Sequence, residues 1–268
     1  MSRKYTYPFL MMFAIAAIYV GEKYIEKQDK IEVVDASRVV KETNLNYFLP
    51  EAVAKTIVHH TYYSLSYNEE AEQAAWVAYT LTKDQLHGED QSRPYFDVDP
   101  AVSTGAANWR NYKNSGYDRG HLCPAGDRKF STQAYNETFL TSNISPQLHD
   151  FNSGIWNRLE NQVRDWASKF DSLTVVTAGV LDNPLETIGS EHVYVPKAFY
   201  KVILRKTDSG YTCIAFLIPH SESTKNLNEF VITLDALEAS TGIDFFPKLD
   251  DSIEKAMEQK TNLSDWQF

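Results

Sequence analysis

Tyr117-Asp118-Arg119-Gly120-His121-Leu122-Cys123-Pro124-Ala125-Gly126-Asp127 places an acid, a guanidinium, a glycine and an imidazole on consecutive positions, then ends any regular element with Pro124 and Gly126. Such a cluster makes a poor core. It is well suited to presenting a base and an anion clamp at the mouth of a cleft. In an extended segment Arg119 and His121 point to the same face, because side chains alternate with a period of two. His121, with a reference pKa of about 6.5, is largely neutral at pH 7 and so available as a base. Arg119 offers a planar fork that matches a phosphate in a way that Lys does not.

The residues that follow complete a pattern. Phe139 to Ser142 reads as a short strand leading into Asn143-Ile144-Ser145-Pro146-Gln147, and Asn152-Ser153-Gly154 runs into a helix that extends to about Phe170. Ile155, Leu159, Val163 and Trp166 keep the helical period, with Asp150 or Asn152 available as the cap. The order is strand, strand, helix. Upstream, Tyr62 to Leu81 reads as a hairpin turning at Asn68-Glu69-Glu70. Downstream, Leu173–Val180, Ala198–Arg205 and Tyr211–Pro219 read as strands, and Leu234–Thr241 and Asp251–Lys260 as helices. These elements predict an α+β fold with a mostly antiparallel central sheet flanked by helices. His59 and His60 are adjacent, so an extended strand sends them to opposite faces and they cannot share a metal.

Composition sets the bounds. The 268 residues carry a formal net charge of −10, against the basic excess usual for phosphate binding, yet Arg93 to Lys129 holds six basic residues and four acidic ones. The stretch from Lys83 to Gly116, rich in turn residues, reads as a binding loop, with Tyr95, Phe96 and Trp109 set among arginines. Loop-to-core packing is the first role for those rings and base stacking the second. Two cysteines, Cys123 and Cys213, make no disulfide framework. At the amino end, Arg3-Lys4 precede an apolar run from Phe9 to Val20, shorter than the roughly 20 residues of a relaxed membrane span. Residues 1–21 are therefore expected to be a signal peptide or an uncleaved signal anchor, 22–44 a charged spacer, and 45–268 the folded domain. The protein is then exported: anchored on the outer side of a membrane, periplasmic or secreted.

Asp118-Arg119-Gly120-His121, then Ser142-Asn143-Ile144-Ser145-Pro146-Gln147, then Asn152-x-x-x-Trp156-x-x-Leu159-Glu160 together resemble the signature of the DNA/RNA non-specific endonucleases. These are ββα-metal (His-Me finger) nucleases, found as secreted bacterial enzymes and in mitochondria. Trp76-Val77-Ala78-Tyr79 resembles the family's upstream strand, and the similarity covers about Leu45 to Pro247. The resemblance implies a Mg²⁺-dependent, sugar-non-specific endonuclease that cuts DNA and RNA to 5′-phosphate ends, with Mn²⁺ able to substitute. It makes His121 the general base, Asn152 the sole direct metal ligand and Arg119 the phosphate-binding arginine. Glu160 would act near the metal, Asn143 would support the scissile phosphate, and Arg93 would be a further phosphate contact. Eight residues of helix put Glu160 about 12 Å beyond Asn152, too far to share an ion unless the helix starts later. The alternative is a membrane-tethered, non-catalytic nucleic-acid-binding module. A homodimer is left open.

Overall fold

The structure is a computed structural model that describes residues 45–53, 57–208, 210–258 and 263–268. Residues 1–44, to which the signal segment and the spacer were assigned, lie outside the described residues. In chain order the strands are β1 (Ile57–His59), β2 (Ser64–Asn68), β3 (Gln73–Thr82), β4 (Asp118–His121), β5 (Ile144–Gln147), β6 (Ser172–Gly179), β7 (Glu186–Ile188), β8 (Val193–Val195), β9 (Ala198–Thr207), β10 (Gly210–Pro219) and β11 (Val231–Ile232). The helices are α1 (Thr132–Glu137), α2 (Asn157–Phe170), α3 (Leu234–Thr241) and α4 (Asp251–Glu258).

Seven strands form one antiparallel sheet in the order β1-β2-β3-β6-β9-β10-β11. In β3 nine consecutive residues are buried, and β6 is buried over seven, so both faces of the sheet centre are covered. Helix α2 lies on β3 and β6, while α3 and α4 lie on β10. The stripe Leu159, Val163 and Trp166 of α2 is fully buried, as its helical spacing requires. Helix α3 ends where the sequence places its stop, at Gly242 with φ +67°, a conformation in which glycine carries no Cβ penalty.

The two-stranded sheet β4–β5 and the helix α2 form the ββα unit. In its antiparallel register Arg119 faces Pro146, Gly120 faces Ser145 and His121 faces Ile144. Two details differ from the sequence reading. The second strand is Ile144–Gln147 rather than Phe139–Ser142; Thr141–Asn143 is a 3-10 turn, because the buried Asn143 side chain turns back onto the loop after β4. Asn152 is also not the cap of the long helix. A helical turn, His149–Phe151, precedes it, and the backbone leaves helical geometry at Gly154 (φ −97°, ψ −109°). There the Glu222 carboxylate accepts from the Ile155 amide at 2.8 Å, supplying negative charge at the start of the continuous helix. A Cβ on Gly154 would meet that carboxylate oxygen at 1.8 Å, which explains a glycine at the kink.

Gly120 has its own reason to be glycine. A Cβ there would lie 2.2 Å from the Gln147 amide group, which is fully buried against it. Gly120→Ala should cost about 1–3 kcal/mol, the usual penalty for overpacking a closed space. A lowered urea midpoint checks this, and an unchanged midpoint would show that Gln147 has another place to go.

Candidate active site

Strand β4 presents Arg119 and His121 to a cleft of about 550 Å³, which Arg93, Phe96, Phe139, His149 and Asn152 also line. His121, Arg119, Arg93 and Asn152, expected to act together from the sequence, therefore meet around one space.

The His121 ring lies edge-on to Phe139, 4.9 Å between centroids, and tilted against Phe96 at 5.5 Å. Its Nε2 is buried without a hydrogen-bond partner. Burial first, and the nearby Arg93 charge second, push its pKa down to about 3. The imidazole is thus neutral over the physiological range, with a ring nitrogen uncommitted to the protein. Arg119 is fixed by rings rather than by acids. Its guanidinium lies 5.4 Å from the Trp109 ring centre, 5.5 Å from Phe96 and 6.0 Å from Tyr112, and Nε and one Nη donate to the Trp109 carbonyl at 3.4 Å. The Arg93 guanidinium sits over Phe139 and Phe96 at 5.6 and 5.8 Å. Among the described residues Phe96 is the ring set against all three of His121, Arg93 and Arg119.

Also at the cleft, Asn152 Nδ2 donates to Asp118 Oδ2 at 3.0 Å, which fixes the amide and leaves its Oδ1 without that bond. The same Asp118 oxygen accepts from His149 Nδ1 at 2.9 Å, and that bond and charge raise the His149 pKa. The sequence reading passed over His149, although it stands three positions before Asn152, the spacing that brings two side chains together on one helical face. Asp118 thus ties β4 to the approach of α2.

Asn143 and Glu160 stand outside the cleft. Asn143 is fully buried and spends its amide on the backbone: Oδ1 accepts from Cys123 N at 2.8 Å, and Nδ2 donates to the carbonyls of Cys123 and Thr138 at 3.0 and 2.9 Å. It is a staple for the loop behind His121. Glu160 is held within a charged cluster with Arg164, whose Nη2 is 3.4 Å away, and with Asp127 and Lys201. Burial raises its pKa to about 7 against the opposing pull of Lys201 and Arg164.

Among the described residues no group of three or more His, Cys, Asp or Glu side chains is placed to hold a metal. A metal here would take few protein ligands. The oriented amide oxygen of Asn152, with the Asp118 carboxylate beside it, fits a hard cation that keeps most of its water, as Mg²⁺ does.

The ββα unit and its cleft define a ββα-metal nuclease fold. Residues 41–252 match the family model of the DNA/RNA non-specific endonucleases, and the chain belongs to that family. It is 36% identical over 211 residues to the mouse protein named "Nuclease EXOG, mitochondrial", covering 72% of this chain and 57% of that one. The zebrafish protein of the same name is 34% identical over 259 residues, covering 90% of this chain and 71% of the relative. A yeast "Mitochondrial nuclease" is 33% identical over 73% of this chain and 67% of its own. Among solved structures, a chain from "Crystal structure of the EndoG/EndoGI complex: Mechanism of EndoG inhibition" superposes with a TM-score of 0.71 at 27% identity, covering 78% of this chain and 92% of that one. The chain thus spans little more than half of the mouse relative's length.

These relatives overturn one expectation. An exported protein, anchored on the outer side of a membrane, periplasmic or secreted, was read from residues 1–21, whereas the relatives are nucleases of mitochondria by name. That reading rested on one short apolar run behind two basic residues, in a segment that lies outside the described residues. Among the described residues, no helix is long and apolar enough to cross a membrane.

The neutrality of His121 can be tested directly. Its imidazole resonances should stay at neutral-form shifts from pH 8 down to pH 5 in an NMR titration, while an ordinary histidine moves through a midpoint near 6.5. A midpoint above 6 would show that the ring is not buried as described.

Proposed function

We propose that this chain is a sugar-non-specific endonuclease that hydrolyses DNA and RNA to 5′-phosphate and 3′-hydroxyl ends. The observation that carries the reading is the meeting, around a single cleft, of an imidazole with a free ring nitrogen, one oriented amide oxygen and two guanidiniums that pair with no carboxylate among the described residues.

In this reading Arg119 and Arg93 grip the non-bridging oxygens of the scissile phosphate. The fork of Arg119, fixed on the Trp109 carbonyl and its ring cage, loses little freedom on binding. His121 takes a proton from the attacking water, whose oxygen bonds to phosphorus while the P–O3′ bond breaks and the departing O3′ takes a proton from solvent. Asn152 Oδ1 would hold Mg²⁺, or Mn²⁺ in its place, and the ion when bound supplies positive charge against the leaving oxygen. Asn143 and Glu160 act as positioning residues. The first fixes the loop behind His121, and the second fixes α2 through Arg164. His149 braces Asp118, and through it the Asn152 amide.

The test is cleavage of plasmid DNA and of RNA by the full chain with Mg²⁺ and with EDTA. His121→Ala and Asn152→Ala should each lose at least about 10²-fold, the scale of a lost base or metal site. Near-normal cutting by either variant would remove it from the mechanism. Retention of DNA in EDTA with no cutting in Mg²⁺ would instead support a binding module.

A further inference from the structure

We propose that Tyr95 is a stacking platform for a nucleobase beside the scissile phosphate, so that the cleft favours strands whose bases there are unpaired. The inference rests on the nuclease reading and deepens it by naming the form of substrate.

Tyr95 is 93% exposed, the most exposed of the large hydrophobic side chains described. Single exposed rings are common on protein surfaces, so exposure alone carries little. What singles this ring out is its place and its footing. Arg93, two residues before it, and Phe96, the next residue, both line the cleft. Consecutive Cα atoms are about 3.8 Å apart, so the Tyr95 backbone stands beside the rim, between two residues that line the cleft.

The backbone on each side is fastened. Pro94 restricts its own φ and biases Arg93 to extended geometry. Phe96 packs on Phe139 at 5.2 Å. Asp97 donates its amide to the Phe139 carbonyl at 3.2 Å and accepts from the Thr141 amide at 2.9 Å. Asp99 is fully buried, accepting from Ser142 and paired with His60 at 2.8 Å. The loop is therefore tied down immediately beyond Tyr95, and its other rings are engaged: Phe96 against His121, Trp109 and Tyr112 against Arg119. Tyr95 is the ring of this loop left facing solvent, on a backbone anchored before any ligand arrives.

An aromatic face in water beside a guanidinium suits a nucleobase. Stacking tolerates any base, because each has a π-face, and so agrees with a site that reads phosphate rather than sequence. Inside a duplex both faces of a base are covered by its neighbours, so Tyr95 reaches only an unpaired, frayed or unstacked base.

The full chain is assayed on one sequence as a single strand and as a duplex. Tyr95→Ala should lower the single-strand to duplex ratio of kcat/KM by about 5- to 100-fold, the scale of one lost base–aromatic stack, and chiefly through KM. Tyr95→Phe keeps the ring and should keep the ratio. Single strands with an abasic residue placed in turn at each position near the cut should be cut more slowly by the wild type at one position, where wild type and Tyr95→Ala become equal. Binding supplies a readout that needs no cleavage: in EDTA, single strands carrying 2-aminopurine should be quenched at one position by wild type and Tyr95→Phe but not by Tyr95→Ala. An equal effect of Tyr95→Ala on both strand forms, or no position sensitive to base removal or to quenching, overturns the proposal. Failure of the nuclease reading looks different: no substrate is cut in Mg²⁺, whatever the quenching shows.

Discussion

Asp127 closes the motif, and its burial fixes how the two halves of the site stand to each other. It is 1% exposed, accepts from Arg164 Nε at 2.7 Å and from the Tyr79 hydroxyl at 3.0 Å, and so ties the loop after β4 both to helix α2 and to strand β3. Its neighbour Arg128, equally buried, donates to the carbonyls of Tyr62 and Thr80 and stacks on Tyr79 at 4.7 Å. Removing water from these charges costs several kcal/mol per ion, which only well-made partners offset. Here separate hydrogen bonds to each charged group and a stacked ring supply them. Because α2 and β4 answer to the same anchor, His121 and Asn152 keep their separation across the cleft although some thirty residues lie between them in the chain.

That anchor also accounts for the electrostatics behind the cleft. Glu160, Asp127, Arg164 and Lys201 share one mostly buried space, with Lys201 Nζ donating to Thr177 at 3.1 Å and lying 4.7 Å over the Trp156 ring. Burial raises the Glu160 pKa to about 7 and pulls that of Lys201 down, and the two acids and two bases of the cluster balance in formal charge. A layer of low net charge beneath α2 lets the fields of Arg119 and Arg93 dominate the cleft.

How much of this was legible in the sequence varies by residue. His121, Arg119 and Asn152, singled out by side chain type and order, do line one cleft, and the period-two and period-3.6 patterns bring them near it without tertiary knowledge. The α+β class and the antiparallel sheet followed from the same patterns. Asn143 and Glu160 belong to the same motif but do not line the cleft. Only burial separates a side chain that spends its bonds on the backbone from one that offers them to a ligand. His149 went unseen because its role depends on Asp118, thirty-one positions earlier, and a cross-chain hydrogen bond has no local signature. The break at Gly154 was hidden too, since its cause is Glu222, far along the chain.

The acidic total was the feature most at odds with a phosphate-binding role, and the structure shows why it misleads. Basic residues of the same window serve opposite ends. Arg128 is sealed in the core and Lys129 is paired with Asp90 at 2.7 Å, so neither offers its charge to a ligand. Arg93 and Arg119 are held by aromatic rings and a carbonyl, and among the described residues neither forms an ion pair with a carboxylate. Orientation by rings leaves the guanidinium charge intact, whereas orientation by an acid would have cancelled most of it before a phosphate arrived. With a Debye length of about 8 Å at physiological salt, exposed carboxylates elsewhere on the surface are screened from the cleft. The sign of the local field is therefore set by how the two arginines are braced, and a chain of net charge −10 can still present a cationic site.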